Sequence, residues 1–330
     1  MAEVNPFFSI VMPLYNAERF VSQAIESVKS QTFEGWELII VDDCSSDNSI
    51  RNAKECAGTD SRILIERMAK NSGTAYLPRK RAIEKAKGNW IVELDADDYL
   101  SLDYLSGIKK TIDKSAPDIV LSRTEFIDKK GNTYKKLPTE DFDILSSYAG
   151  KELIKYTIDW RVSTAGEAVK RGLYKAIVDK RSESEYLICY DEMITRYLLL
   201  QAQKVAFSEC TYYYRKNIES ITHKNGVNLQ QIDIAFLLED LINSNFTKDS
   251  EEEKVLNAYK IEIIYSVLNN LDKSGLDDKE KKEILKKVIL LHDSLDGKQL
   301  KGWKSKLFSK IPISILRPLV NLHAIGKSGK

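Results

Sequence analysis

The chain has 330 residues, with 50 Lys plus Arg against 49 Asp plus Glu and 43% hydrophobic residues, enough for one large α/β domain with an appendage. No run of about 18 apolar residues occurs, which excludes a spanning helix. Cys44, Cys56, Cys189 and Cys210 show no CxxC spacing, so reduced thiols are expected rather than a disulfide framework.

In chain order, an apolar strand over 8–12 stops at Pro13-Leu14-Tyr15-Asn16, and Phe20, Val21, Ala24, Ile25 and Val28 then recur at helical spacing. A buried strand over 36–41 runs into Asp42-Asp43-Cys44-Ser45-Ser46-Asp47, where Ser46 or Asp47 is a plausible cap for a helix over 50–57. A strand over 63–65, a helix over 76–86 ended by Gly88 and a strand opened by Trp90 come next. That strand leads into Asp95-Ala96-Asp97-Asp98. Alternation of this kind predicts a mostly parallel sheet whose ligands bind beyond the carboxyl ends of the strands. Both acidic clusters lie at such ends. Three carboxylates in four residues repel one another and resist burial. A hard cation such as Mg²⁺ or Mn²⁺ among them would relieve that, since these ions take oxygen ligands. The bland alternative is that Asp97 or Asp98 caps a helix starting near Leu102 or Asp103.

Farther on, 118–126 reads as a strand, 128–132 as a turn and 133–137 as a second strand. Asp191 opens a helix carrying Met193, Ile194, Tyr197 and Leu198. Helices are expected over about 228–244, 251–272 and 278–292, with their leucine and isoleucine stripes packed on one another.

Seven short segments, in order over about residues 7 to 223, resemble the inverting family 2 glycosyltransferases with the GT-A nucleotide-sugar fold. They are Pro13–Glu18, Ser30–Phe33, Val41–Asp47, Asn71-Ser72-Gly73, Leu94–Asp98, Asp191-Glu192, and Tyr212–Arg215 with Ser220-Ile221-Thr222. The resemblance implies a Rossmann-like, mostly parallel sheet flanked by helices. Residues 1–225 would form the GT-A domain, with 1–100 its nucleotide-sugar half and 101–225 its acceptor half. A helical extension over 226–300 and a tail over 301–330 would follow.

The resemblance also implies roles. Pro13, Tyr15, Asn16 and Glu18 would lie along nucleobase and ribose, with Asp42 in the same site and Asp43 accepting from uracil N3–H. Asn71, Gly73 and Arg79 would line the diphosphate side, and Lys80, where the family often has Asn, could also face phosphate. Asp95-Ala96-Asp97 is the family's DXD motif, with Asp97, Asp95 and Asp98 candidates for Mn²⁺ or Mg²⁺. Asp191 is the catalytic base if the acidic pair is aligned on Asp; Glu192 is its rival. His223 is either a further metal ligand, a solvated loop residue or a phosphate contact, and Arg215 either a diphosphate contact or part of a surface ion pair. The activity implied is transfer from a nucleotide-sugar donor, most naturally a UDP-sugar, to a glycan or lipid-linked glycan.

Two other classes are weighed against it. A nucleotidyltransferase or dinucleotide-binding dehydrogenase should carry a Gly-rich loop after the first strand, and Pro13-Leu14-Tyr15-Asn16 is not one. A nucleotide-sugar-binding module would keep Asp43 and Asp97 without turnover. Glu3 and the absence of a long apolar segment before the first strand argue against a secretory leader, so a cytoplasmic location is expected. Residues 301–330 hold six Lys, Arg317 and no acid, interleaved with Trp303, Leu307, Phe308 and Ile311. Such a segment can lie on an anionic membrane surface, pack on the preceding helices or form a homodimer contact. Nucleic acid is not expected there, because apolar residues outnumber cations and no RNA-binding motif is present.

Overall fold

The computed structural model describes residues 5–139, 143, 145–179, 190–215, 230–300 and 303–316, without the side chains of 190–192, 303, 304 and 306. It divides into two compact units, Met1–Asn217 and Ile218–Lys330. The domain boundary expected at 225 falls within 216–229, outside the described residues.

The first unit begins β1 (Phe8–Leu14), α1 (Val21–Lys29), β2 (Trp36–Asp42), α2 (Ser49–Ala57), β3 (Ile63–Arg67), α3 (Tyr76–Lys85) and β4 (Trp90–Glu93). It continues β5 (Tyr99–Leu100), α4 (Tyr104–Ser115), β6 (Ile119–Ile127), β7 (Thr133–Leu137), β8 (Ser147–Tyr148) and α5 (Gly150–Ile158). The remaining elements are β9 (Ala168–Lys170), α6 (Arg171–Val178), α7 (Tyr190–Gln201) and β10 (Val205–Arg215).

The described strands form one sheet in the order β3-β2-β1-β4-β9-β6-β10-β5, with β7 on β6 and β8 on β10. β1 is parallel to β2 and β4, and β2 to β3. β9 is antiparallel to both β4 and β6, and β6 is parallel to β10. Two antiparallel steps restore direction. The carboxyl ends of β1, β2, β3, β4, β6 and β10 therefore share one edge.

β2 is buried on both faces, as its unbroken apolar run requires of a central parallel strand. On one face Ile10, Met12, Leu38, Ile40 and Val92 pack against Val21, Ala24, Ile25 and Val28 of α1 and Tyr104, Leu105 and Ile108 of α4. α4 starts at Tyr104 with Asp103 at its N-cap, and β5 intervenes between it and Asp98. The capping explanation of Asp97 and Asp98 is therefore overturned. Asp103 holds the N-cap position and makes no side-chain capping bond there.

The second unit contains α8 (Gln230–Asn245), α9 (Glu251–Asn270), α10 (Asp278–Asp293) and α11 (Trp303–Phe308). Ser250 caps α9 by accepting from Glu253 N, and Asp277 with Glu280 forms a reciprocal capping box on α10. Ile232, Ile264, Leu268, Val288 and Leu291 make its core. The stripes do pack on each other. Among the described residues no helix is long and apolar enough to cross a membrane.

Candidate functional site

The loops after β1 and β2 are stitched together. Asn16 sits at φ +47°, a left-handed conformation that Asn tolerates, and its Oδ1 accepts from Ser46 N at 2.9 Å. Glu18 Oε2 accepts from both Asn48 N and Asn48 Nδ2 at 2.9 Å, while Glu18 N donates to Asp47. Asn16 and Glu18, expected along nucleobase and ribose, shape the loop pair through these contacts. Pro13 lies within β1 opposite Val41, and the Tyr15 ring beyond it is half exposed.

The two acids after β2 separate in role. Asp42 is fully buried, accepts from Ser45 N and pairs with Arg67 Nε at 3.3 Å. Expected in the donor site, it builds the turn that follows β2. The Asp43 carboxylate, 3% exposed, accepts from Ser72 N at 2.9 Å and Ser72 Oγ at 2.9 Å. Asn71 Nδ2 donates to the Asp43 carbonyl, and Gly73 N donates back to Asn71 Oδ1. Gly73 has φ +75°, which is why this close return needs glycine. Asn71, Gly73 and Asp43 are thus brought together, with Ser72 as the residue that joins them.

After β4 the acids divide again. Asp95 and Asp97 are partly exposed, and Asp98 is 2% exposed. Tyr212 Oη donates to Asp98 Oδ2 at 2.8 Å, and Arg215 N donates to Asp98 Oδ1 at 2.7 Å. Tyr212 Oη also accepts from Asp95 N at 3.3 Å. Asp98, expected to share the metal, fastens β10 to the loop after β4. Burial pushes its carboxyl well above the usual range, and the charges of Asp97 and Asp95 push it further. Among the described residues no group of three or more His, Cys, Asp or Glu forms a metal cage. Two partly exposed carboxylates in a negative field fit a hard cation that completes its shell with phosphate oxygens and water.

Arg79 is 1% exposed, with Nε 3.0 Å from Glu93 and Nη2 2.8 Å from Asp95 Oδ1. Arg79 was expected beside diphosphate; a buried guanidinium has to be paired, and these carboxylates hold it beneath the loop. Lys80 lies near Glu84 at 3.8 Å. The Arg215 side chain donates to Gln23 at 2.7 Å and lies over the Phe20 and Tyr99 rings.

Beneath the loop lies a cluster that sequence reasoning missed. Glu93 accepts from Tyr174 Oη, and Glu167, 2% exposed, accepts from Thr195 Oγ1 at 3.3 Å. Glu167 Oε2 has no partner among the described residues. Burial, and then the Glu93 charge, raise the Glu167 carboxyl well above the ordinary range. Gly166, at φ +72°, leads into it, and a Cβ there would collide with the Tyr212 ring. Glu93 had a signal, a charge inside an apolar strand; Glu167 had none. Thr195 lies one helical turn beyond Asp191 on α7, so the cluster ties that helix to the end of β4. Asp191 and Glu192 occupy the first turn of α7, with side chains outside the description. His223 lies outside the described residues.

The family model described as "Glycosyl transferase family 2" matches residues 9–177. The chain belongs to that family. Among curated relatives, the poly(ribitol-phosphate) beta-glucosyltransferase of Bacillus spizizenii is 27% identical over 270 residues, 79% of this chain. The chain covers 39% of that relative's length. Among solved structures, S. aureus TarS 1-349 in complex with UDP matches with TM-score 0.65 at 18% identity, over 95% of this chain and 85% of that one. The mannosyltransferase PcManGT from Pyrobaculum calidifontis, in complex with GDP-Man and Mn²⁺, matches with TM-score 0.50 at 13% identity, over 97% and 88%. The first unit of this family 2 protein has the GT-A architecture, and the C-terminal helices follow it.

Proposed function

We propose that this protein is an inverting transferase that moves a hexosyl or N-acetylhexosaminyl group from a UDP-sugar to a hydroxyl of a bacterial wall polymer. One observation carries the reading: Asp43, Asp95 and Asp97 share a sheet edge, and α7, with Asp191 in its first turn, is tied to it through Thr195 and Glu167. The names of the relatives support the donor and the acceptor class.

In this reading Asp43, Asn71 and Gly73 receive the nucleoside. Ala96, buried between the two acids, keeps Asp95 and Asp97 turned toward the diphosphate. These two carboxylates would hold Mn²⁺ or Mg²⁺, which supplies neutralisation of the charge gathering on the leaving diphosphate. Arg79 fixes Asp95 from below. As the acceptor oxygen forms its bond to the anomeric carbon, the bond from that carbon to the diphosphate oxygen breaks, and the hydroxyl proton passes to Asp191. Attack opposite the leaving group inverts the centre, so the base has to come from a separate part of the chain.

Titration with UDP, with and without Mn²⁺, and UDP release from UDP-glucose and UDP-GlcNAc in the presence of poly(ribitol phosphate) test the reading. Asp97→Asn should remove metal-dependent UDP affinity and lower turnover by about 10³-fold, the scale of lost transition-state charge stabilisation. Metal-dependent binding without turnover in the wild type would leave a nucleotide-sugar-binding module. For location, the +7 charge of residues 301–330 and the half-exposed Leu307 and Ile315 support attachment to an anionic membrane surface. Co-sedimentation with anionic but not neutral vesicles, weakening with salt, is the expected result; equal behaviour with both would end that reading.

A further inference from the structure

The far half of the same sheet edge carries a group of side chains that the donor chemistry does not use. Strand register sets Tyr214 of β10 opposite Phe126 of β6, and Phe126 opposite Lys135 of β7. Paired residues on neighbouring strands project to one face, so the three form a row. The Phe126 ring lies 5.1 Å from that of Tyr214 and 6.1 Å from that of Tyr134. Lys135 Nζ stands 5.4 Å from the Phe126 centroid and 5.9 Å from that of Trp160.

Phe126 is buried, but Tyr134, Trp160 and Tyr214 are 53%, 42% and 39% exposed. Neighbouring Lys136 pairs with Glu125 at 2.7 Å, whereas no carboxylate pairs with Lys135 among the described residues. Trp160 adds an independent observation. Its φ is +56°, a left-handed conformation unfavourable to a bulky side chain. The turn is held by Arg161 N and Val162 N, both donating to the Tyr156 carbonyl, and by Thr139 N donating to that of Arg161. This is the left-handed position that closes the C-terminus of α5, and it leaves the Trp160 ring partly exposed beside Lys135.

We propose that this face binds the acceptor, and that the acceptor is a phosphate-bearing sugar or polyol chain. The inference rests on the transferase reading above and adds where the acceptor lies and what charge it carries. Aromatic faces carry partial negative charge, against which the C–H groups of a sugar or polyol rest. Lys135, exposed and held between two rings, offers a cation to a phosphodiester. β10 links the platform to the donor side, because Tyr212 holds Asp98 and Tyr214, two residues on, faces Phe126.

The test measures binding of a ribitol-phosphate oligomer, and of a neutral oligosaccharide of equal length, to the full chain saturated with UDP and Mn²⁺. Trp160→Ala should weaken oligomer binding on the order of 10-fold, the usual loss for one stacking contact. Lys135→Gln should weaken it and reduce its salt dependence. Both positions are at the surface, so UDP affinity and melting temperature should hold. Unchanged oligomer affinity in both variants overturns the platform while the transferase reading stands. Neutral oligosaccharide binding as tightly as the phosphate chain overturns the assigned acceptor class. Failure of the wild type to bind UDP removes the transferase reading itself, and the platform with it.

Discussion

At β2 and β4 the sheet edge ends in carboxylates that already have partners, whereas around the end of β6 it carries the exposed rings of Tyr134 on β7, Trp160 and Tyr214 on β10. The acidic half is folded on itself before any ligand arrives. Asp42 is paired with Arg67, Asp43 is held by Ser72, and Asp98 by Tyr212 and Arg215. Asp95 and Asp97 are left partly exposed. The aromatic half keeps Tyr134 and Trp160 on the surface, where burial would have stabilised the fold. The acids of one cluster therefore differ in burial and in how far the fold itself holds them. The aromatic half is built the other way. Its individual residues are unremarkable in sequence, and only pairing across three strands makes them a surface.

The largest expected effect sharpens the acidic side of this contrast. Asp191→Asn should lower kcat by at least about 10²-fold, the lower range for a general base, and leave UDP affinity unchanged. Glu192→Gln should do much less. Steady-state kinetics beside UDP titration decide it, and an exchange of behaviour between the two variants would make Glu192 the base. A second expectation concerns the support beneath the loop. Arg79→Met removes the only cation that pairs with Glu93 and Asp95 among the described ion pairs. Removing one partner of a buried pair typically costs about 3–5 kcal/mol. For a unit of this size that lowers the melting temperature by about 10 °C. Adding Glu93→Gln should recover part of the loss, because one of the uncompensated charges then disappears. A melting temperature unmoved by Arg79→Met would show that the pair carries no stability.

The strand–helix order from β1 to β4 was legible because each parallel strand is a continuous apolar run and each helix keeps its 3.6-residue stripe. Acids at the strand ends were legible for the same reason: they stand where the apolar run stops. What could not be read was which acids face inward. Asp42 and Asp43 are neighbours in sequence, yet one is held by Arg67, 25 positions on, and the other by Ser72, 29 positions on. The pairing of Arg79 left no trace in the sequence, because the two carboxylates that hold it come from β4 and the loop beyond. Residues 139–190 had little local pattern, so Glu167 and the turn at Trp160 left no trace. Both depend on contacts across the sheet rather than on neighbours in the chain.

The smallest expected effect tests how the cluster under the acidic half is charged. Glu167 is buried, accepts one hydrogen bond from Thr195 and faces the negative Glu93, so its folded-state pKa lies well above the ordinary 4.5. Between those two values the folded protein holds a proton that the unfolded chain has released. Stability must then fall as pH rises through that window, since the state that binds more protons is favoured at lower pH. Glu167→Gln cannot titrate, and its amide oxygen can still accept from Thr195 while its NH₂ faces Glu93. The melting temperature of the variant should therefore decline less steeply than that of the wild type from about pH 4.5 upward, with the two diverging in the variant's favour. The gain would sit in stability, with UDP affinity untouched because Glu167 is buried away from the exposed acids. Parallel slopes across the whole range would mean that Glu167 ionises in the fold as it does in the unfolded chain. Arg79 would then balance two charged glutamates as well as Asp95, and its removal should cost more than a single pair.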